Sequence, residues 1–517
     1  MKEQTQYLKT EISTLQSEVS GDYILPDSYP DVKNILSCSA RICDVKKYFG
    51  ANEGEISGNF AYNIMFSAAD DNGGDVICSV SFTDDFKTVC RYKYASNVGA
   101  GTQTKLRELN CRMANPRKFS IKASLETLMF EDITASAYPT LPPDMPANAD
   151  MQYKWGESTV CRCRSASLCE HSFSDNIELD MKLPEIAEIV HYDIVLNVRD
   201  ERSTDVKDSP MKLGGVFTVN LVYKDKEGAC HGINRDIPFG ITINDDESAM
   251  IGDTSDPSVS IVPAVYISAV NLNVGKNQYD EAKVLEFDAD YDIDLLVMSS
   301  ENIKYVTDAY STKYDCECKY ELQSMLTPVA RIKNNFTYTD SREKSELGLE
   351  DTLLLAHAIP TIADVHTEKN GSYINIVGKI CEKTALMHDE NRVKGKDIIM
   401  PFTYKSSVSA SDDGIGMIGS AMLMDNRTRS DSERMYTDAE MYLDYLLTEK
   451  ENATLCKSVT LNTESCTKPG RELFCVYYPT QGESIWDTAK KKKTTVEKIL
   501  TLNPGIDVSS GAPIIVE

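Results

Sequence analysis

Gly58-Asn59-Phe60-Ala61-Tyr62-Asn63-Ile64-Met65-Phe66 returns 157 residues later as Gly215-Val216-Phe217-Thr218-Val219-Asn220-Leu221-Val222-Tyr223, both of the form G-x-F-x-x-N-x-apolar-aromatic. A weaker third copy opens at Gly378-Lys379-Ile380, 163 residues further on, and continues through Lys383 and Leu386. Each glycine is followed 24 residues on by a phenylalanine, Phe82, Phe239 or Phe402, with an apolar residue (Val80, Ile237, Met400) two places before it. Pro238 and Pro401 fill the position between in two copies. Further out, Leu25-Pro26, Leu183-Pro184 and Ile359-Pro360 precede the glycines. Cys161-x-Cys163 and Cys316-x-Cys318, 155 residues apart, read as equivalent positions ahead of copies two and three. Periods this long far exceed those of solenoid units, so each copy is expected to own a core.

Alternation sets the structural class. In Phe287-Asp288-Ala289-Asp290-Tyr291-Asp292-Ile293-Asp294-Leu295 the four aspartates share one face of a period-2 strand and the apolar residues the other. That is the pattern of an antiparallel sheet with one face wet. Related runs, Ala123-x-Leu125 and Ala439-x-Met441-x-Leu443, occupy the matching place in the other copies. Turn sequences such as Asp71-Asn72-Gly73-Gly74 and Lys226-Glu227-Gly228 separate such runs. The reading is a mainly β chain of three repeated, sandwich-like antiparallel domains over 1–147, 148–303 and 304–470, followed by a small α+β module over 471–517. Breaks are expected at Pro139-Thr140-Leu141-Pro142-Pro143-Asp144-Met145-Pro146, ahead of Cys316, and at Thr467-Lys468-Pro469-Gly470.

The last 45 residues change character. Phe474-Cys475-Val476-Tyr477-Tyr478 reads as a strand. Ser484-Ile485-Trp486-Asp487 carries the spacing of a helix N-cap with an acid in the first turn. Thr494-Thr495-Val496-Glu497 repeats the start signal, and Val496, Ile499 and Leu500 form the stripe of a second short helix. Asn503-Pro504 ends it, and Pro513-Ile514-Ile515-Val516 supplies a closing strand.

This βααβ tail resembles a LysM domain: Gly482-Glu483-Ser484-Ile485-Trp486, Ala489, Thr494-Thr495-Val496, Asn503-Pro504 and Gly511 stand at its motif positions. The resemblance implies a shallow groove that binds N-acetylglucosamine chains, lined by Gly482, Glu483, Ser484 and Ile485 on one side and Asn503, Pro504 and Ile506 on the other. Trp486 reads first as half-buried packing and second as a contact surface beside that groove. As a whole the chain is similar to the spore coat morphogenetic proteins of endospore-forming bacteria that carry SPOCS domains and one C-terminal LysM. That similarity implies a non-enzymatic scaffold, made in the mother-cell cytoplasm and working at the forespore surface in the spore coat. Its partners would be the morphogenetic ATPase coating the forespore and other coat proteins. The alternative is a protein that binds N-acetylglucosamine glycan, that is, peptidoglycan.

Composition narrows the field. Of 517 residues, 54 are Lys or Arg and 80 are Asp or Glu, a formal charge of −26. Such a surface repels phosphate backbones, so nucleic acid is not an expected partner. No stretch approaches the ~20 apolar residues of a membrane helix, and the polar Met1–Tyr7 opening lacks a secretory core, so a cytosolic protein is expected. Fifteen cysteines without a CxxC argue for reduced, mostly buried thiols rather than a disulfide framework or zinc ribbon. Phosphate-loop, zincin and nucleophile-elbow motifs are missing, and His171, His191, His231, His357, His366 and His388 have no metal-ligand spacing. No cofactor or metal is expected. The aspartate row of residues 288–294 reads as a solvated face. Lys490-Lys491-Lys492-Lys493 is the one basic cluster, serving either as a helix C-terminus matched to its dipole or as a docking patch for an acidic partner.

Overall fold

The computed structural model describes residues 6–516 except 51–52, 70–73, 92–99, 202–211, 244–250, 252–258, 351, 358–359, 389–391, 410–414, 465–473, 506–508 and 510. Ile359, Ile506, the Asp71–Gly73 turn and the Thr467–Gly470 break therefore lie outside the described residues. The chain is mainly β and its named strands pair antiparallel.

In the first third, β1 (Gln6–Ile24), β2 (Val32–Phe49), β3 (Glu53–Ala69), β4 (Asp75–Arg91), β5 (Ala100–Asn115) and β6 (Lys118–Ser136) form two sheets, ordered β1-β6-β5 and β2-β3-β4. The middle third has β7 (Met151–Glu178), β8 (Glu188–Asp200), β9 (Lys212–Lys224), β10 (Cys230–Thr242), β11 (Ser260–Gly275) and β12 (Val284–Ser311), paired as β7-β12-β11 and β8-β9-β10. β12 thus runs past residue 303. The last third has β13 (Asp315–Glu343), β14 (Thr352–His357), β15 (Thr361–Asn370), β16 (Tyr373–His388), β17 (Arg392–Ser409), β18 (Gly416–Ser430) and β19 (Arg434–Asn462). Here β19 lies between β13 and β18; β16 pairs with β17 along one edge and with β15 and then β14 along the other. A single helical turn, α1 (Lys344–Leu347), follows β13.

Within each third the two sheets pack face to face. Phe60, Tyr62 and Phe66 of β3 meet Phe119, Ile121 and Leu125 of β6. Phe217, Leu221 and Tyr223 of β9 meet Phe287, Tyr291 and Ile293 of β12, and Ile376, Met400 and Phe402 meet Met441, Leu443 and Tyr445. Interleaved apolar faces of this kind are the core of a β-sandwich. Three further apolar clusters each draw residues from all three thirds; one unites Leu36, Met65, Val222, Ala385 and Val393, the others centre on Phe130 and Cys163 and on Tyr7 and Met325.

Polar contacts fix the same junctions. Asp193 accepts from Asn63 Nδ2 at 3.3 Å and from Ser39, and faces His191. Burial pushes its carboxyl up, and the His191, Ser39 and Asn63 contacts outweigh that and hold it below the usual range. Arg331, held within its own third by both oxygens of Asp444 at 3.1 and 2.9 Å, donates across to Val259 carbonyl at 3.2 Å, and Lys333 meets Asp200 at 3.3 Å.

Three sequence expectations change. The aspartate row alternates as read at Asp288 and Asp290, but Asp294 is only 5% exposed: Lys47 from the first third pairs with it and Ser167 donates to it at 2.6 Å. The face stops being wet where another part of the chain covers it. The two Cys-x-Cys pairs are not equivalent. Cys163 pairs with Met298 and Cys318 with Val459. When Ala289 is matched to Ala439, the two pairs lie ten residues out of step, so their common spacing is coincidental. Lastly, the strand partner of Gly58 is Phe86, not Phe82, whereas Gly215 faces Phe239 and Gly378 faces Phe402. The β3–β4 hairpin holds four more residues between its glycine and the facing ring than either counterpart, which moves the partner by four.

These glycines let an aromatic ring lie across the neighbouring strand. A Cβ on Gly58, Gly215 or Gly378 would stand 2.8, 2.5 or 2.7 Å from the facing ring's Cε1. Gly215→Ala and Gly378→Ala are each expected to cost about 1–3 kcal/mol by overpacking. Combining Gly215→Ala with Phe239→Ala should cost less than the sum of the two, as read by denaturant titration. A second expectation concerns Glu382 in β16, whose carboxyl burial pushes from 4.5 up to about 7, against the Thr428 hydroxyl, which lowers it. An acid raised on folding binds more protons in the native state, so stability falls as pH rises from 4.5 through 7. Glu382→Gln should flatten that slope and stabilise the protein at pH 8 by on the order of 2–4 kcal/mol.

Candidate interaction surface

The C-terminal module is built from β20 (Cys475–Tyr477), α2 (Ile485–Lys492), α3 (Val496–Leu502) and β21 (Ile514–Val516), with β20 antiparallel to β21. Ser484 Oγ accepts the Asp487 N–H at 3.1 Å and donates to its carboxylate at 2.6 Å, closing the first turn of α2. Thr495, not Thr494, caps α3, accepting from Lys498 N–H at 3.2 Å. Ala489, Ile499, Ile514 and Val516 form the interior.

Residues expected to line a groove are engaged within the module. Glu483 accepts from Thr480 N–H at 3.0 Å, Thr480 Oγ1 at 2.8 Å, Thr488 Oγ1 at 2.9 Å and the Tyr477 hydroxyl at 3.1 Å. These donors, the Thr480 amide foremost, hold its carboxyl down at about 2. Asn503 donates to the carbonyls of Ile499 at 2.8 Å and Ile515 at 2.7 Å and accepts from Ile515 N–H, clamping α3 to β21. Gly482 N–H donates to Ser509 carbonyl at 3.0 Å, tying the loop before α2 to the loop after α3. Ile485 packs against the interior, while Gly482 and Pro504 remain exposed.

The module docks on the junction of β12 and β13. Tyr310 of β12 enters its apolar cluster, meets Trp486 edge-on at 4.9 Å and donates to Thr494 carbonyl at 2.7 Å. Asp308 accepts from Trp486 Nε1 at 2.8 Å, Lys490 Nζ at 2.7 and 2.8 Å, and the Tyr320 hydroxyl at 2.8 Å. Burial raises its carboxyl, and the Lys490, Trp486 and Tyr320 contacts outweigh that and bring it below the usual range. Lys493 pairs with Asp315 at 2.6 Å. Lys491 donates to the Tyr477 hydroxyl at 2.7 Å, and Lys492 stands 4.3 Å from that ring's centre. The lysine cluster thus serves intramolecular contacts first, and Trp486 faces the chain's own β12.

What the module turns outward is the other face of its β20–β21 pair. Phe474, Val476 and Tyr478 alternate along β20 and the residues flanking it, and Ile515 stands opposite Val476; they are 59%, 61%, 70% and 41% exposed. Contiguous exposed apolar side chains of this kind mark interaction sites. Below the docked module, Cys318 Sγ donates to Ala309 carbonyl at 3.0 Å, with Cys316 and Cys456 in the same cluster. Among the described residues no group of three or more His, Cys, Asp or Glu side chains is placed to hold a metal.

Asp308 is the residue that sequence reasoning missed. It is one of 80 acids in the chain and has no local signal. No family model, curated protein or solved structure matches the chain.

Asp308→Ala should weaken docking by about 1–3 kcal/mol. In a Trp155→Phe background, emission from Trp486 should then shift to the red, and proteolysis should release the module. Both Asp308 and Glu483 are depressed on folding, so the stability they give is complete above about pH 4.5 and is lost as pH falls toward 2. Acid titration of the same emission should show release in that window, moved to higher pH by Glu483→Gln.

Proposed function

We propose that the chain is a non-enzymatic scaffold of the spore coat, with three SPOCS-like β domains and a LysM-like tail that holds a protein partner, the morphogenetic ATPase on the forespore surface. The observation that carries this reading is the tail's apolar outer face, Phe474, Val476, Tyr478 and Ile515, presented while Trp486, Lys490 and Lys493 anchor the module to β12 and β13. An apolar patch flanked by polar rim residues suits protein contact. Apart from the extra β14, strand pairing of one kind in each third is what three copies of one domain would produce. The polar side chains that would read a sugar, Glu483, Ser484 and Asn503, already have partners inside the module. That weighs for protein over N-acetylglucosamine glycan.

Capture of the ATPase by the full-length chain should fall at least about tenfold, roughly 1.4 kcal/mol, with Val476→Lys and Ile515→Glu together. N-acetylglucosamine oligomers should bind no tighter than millimolar. Sugar affinity in the micromolar range, unaffected by those two substitutions, would establish the glycan reading instead.

A further inference from the structure

Where the three thirds meet, a cavity of 430 Å³ is lined mainly by two strands of each, with Thr14 of β1 and Glu126 and Leu128 of β6 besides. Residues 40–42 of β2 and 103–106 of β5 come from the first. Residues 194–198 of β8 and 263–267 of β11 come from the second. Residues 360–362, leading into β15, and 417–423 of β18 come from the third. All six are edge strands of their sheets. The volume falls in the range of small-molecule sites.

Among the described residues, one cation on this cavity wall has no counter-charge. There, Arg41 Nε and Nη1 are buried and have no hydrogen-bond partner, and Ser420 Oγ of β18, which also lines the cavity, is likewise unpartnered. Other cations at the junctions do meet carboxylates: Lys47 meets Asp294, Arg331 meets Asp444, and Arg162 meets Asp132 and Glu301. Lys105, also on the cavity wall, pairs with Glu126 at 2.9 Å. Leaving a guanidinium unpaired in an apolar wall is costly. The rest of the lining is largely apolar, with Ile42, Leu106, Ile194, Met422 and Leu423 around it.

We propose that this axial cavity binds a small organic monoanion, a carboxylate with an apolar body, through the Arg41 guanidinium. A carboxylate matches the planar donor fork of arginine, and the Ser420 hydroxyl on the same cavity wall is a second donor. One cation balances one negative charge, and a dianion would carry an uncompensated charge into an apolar space. The body of the ligand would lie against the aliphatic side chains. This inference is independent of the tail and of the proposed scaffold role.

Thermal unfolding of the full-length chain tests it, with hexanoate, 1-hexanol and inorganic phosphate as probes. Hexanoate should raise the midpoint saturably, whereas hexanol and phosphate should not. Arg41→Gln should unfold at or above the wild-type temperature without ligand, since it removes an uncompensated charge, and should bind hexanoate at least about tenfold more weakly. Ala421→Leu, which fills the cavity and leaves the charge in place, should lose the response equally; it serves as the test if Arg41→Gln does not fold. Equal responses to hexanoate and hexanol, a response to phosphate alone, an undiminished hexanoate response in either variant, or no response to any probe would overturn the proposal.

Discussion

Two three-stranded sheets packed face to face bury one side of each and leave open edges and outer faces, and the whole molecule is arranged to cover them. Unpaired edges invite association with other chains. Here β11 packs against β2 and β8, and β17 against β2, while the three shared clusters cover apolar residues that one sandwich would expose. The middle strand β3 shows the result. From Tyr62 to Ala68 it is buried on both faces, one against its own partner sheet and the other against the neighbouring thirds. Its sequence is nearly continuous in apolar residues there for that reason.

The buried charges at these junctions have a different task from the apolar clusters. Asp193, Asp294 and Asp444 are each nearly or wholly withdrawn from water. Desolvation offsets much of the attraction in such pairs, so their net stabilisation is small, yet separating one is costly. They therefore select one mutual arrangement of the thirds, with the apolar clusters supplying the cohesion. Arg41 departs from this pattern at the point where the six edge strands converge.

Class and alternation were legible in the sequence, and long-range pairing was not. Phe287, Ala289 and Tyr291 face inward and Asp288 and Asp290 outward, as a period-2 reading demands. Asp294 obeys the period and still leaves water, because its cover comes from Lys47, 247 residues away. Phe82 has the right spacing from Gly58 but the wrong register, since the motif does not fix how long the paired arms of the hairpin run. Asn503 shows the same limit at the candidate site. A motif marks it as important without saying that its amide faces inward, where it joins α3 to β21. Asp308 could be found only by folding β12 against α2.

The tail's smallness explains why it docks. A module of about 40 residues buries too little of its own surface to be robust, and Tyr310 adds a fully buried aromatic ring to a cluster in which the module's own Tyr477 and Trp486 are only partly buried. Docking by Asp308 then fixes which face points outward, and an anchored surface loses less orientational freedom on meeting a partner than one on a loose tether. In a chain of charge −26, Lys490 and Lys493 are neutralised at short range by Asp308 and Asp315. Screening limits what remains to within about 8 Å at physiological salt. On the proposed reading, a partner approaching the β20–β21 face would be held by apolar area and shape, with charge acting at the rim.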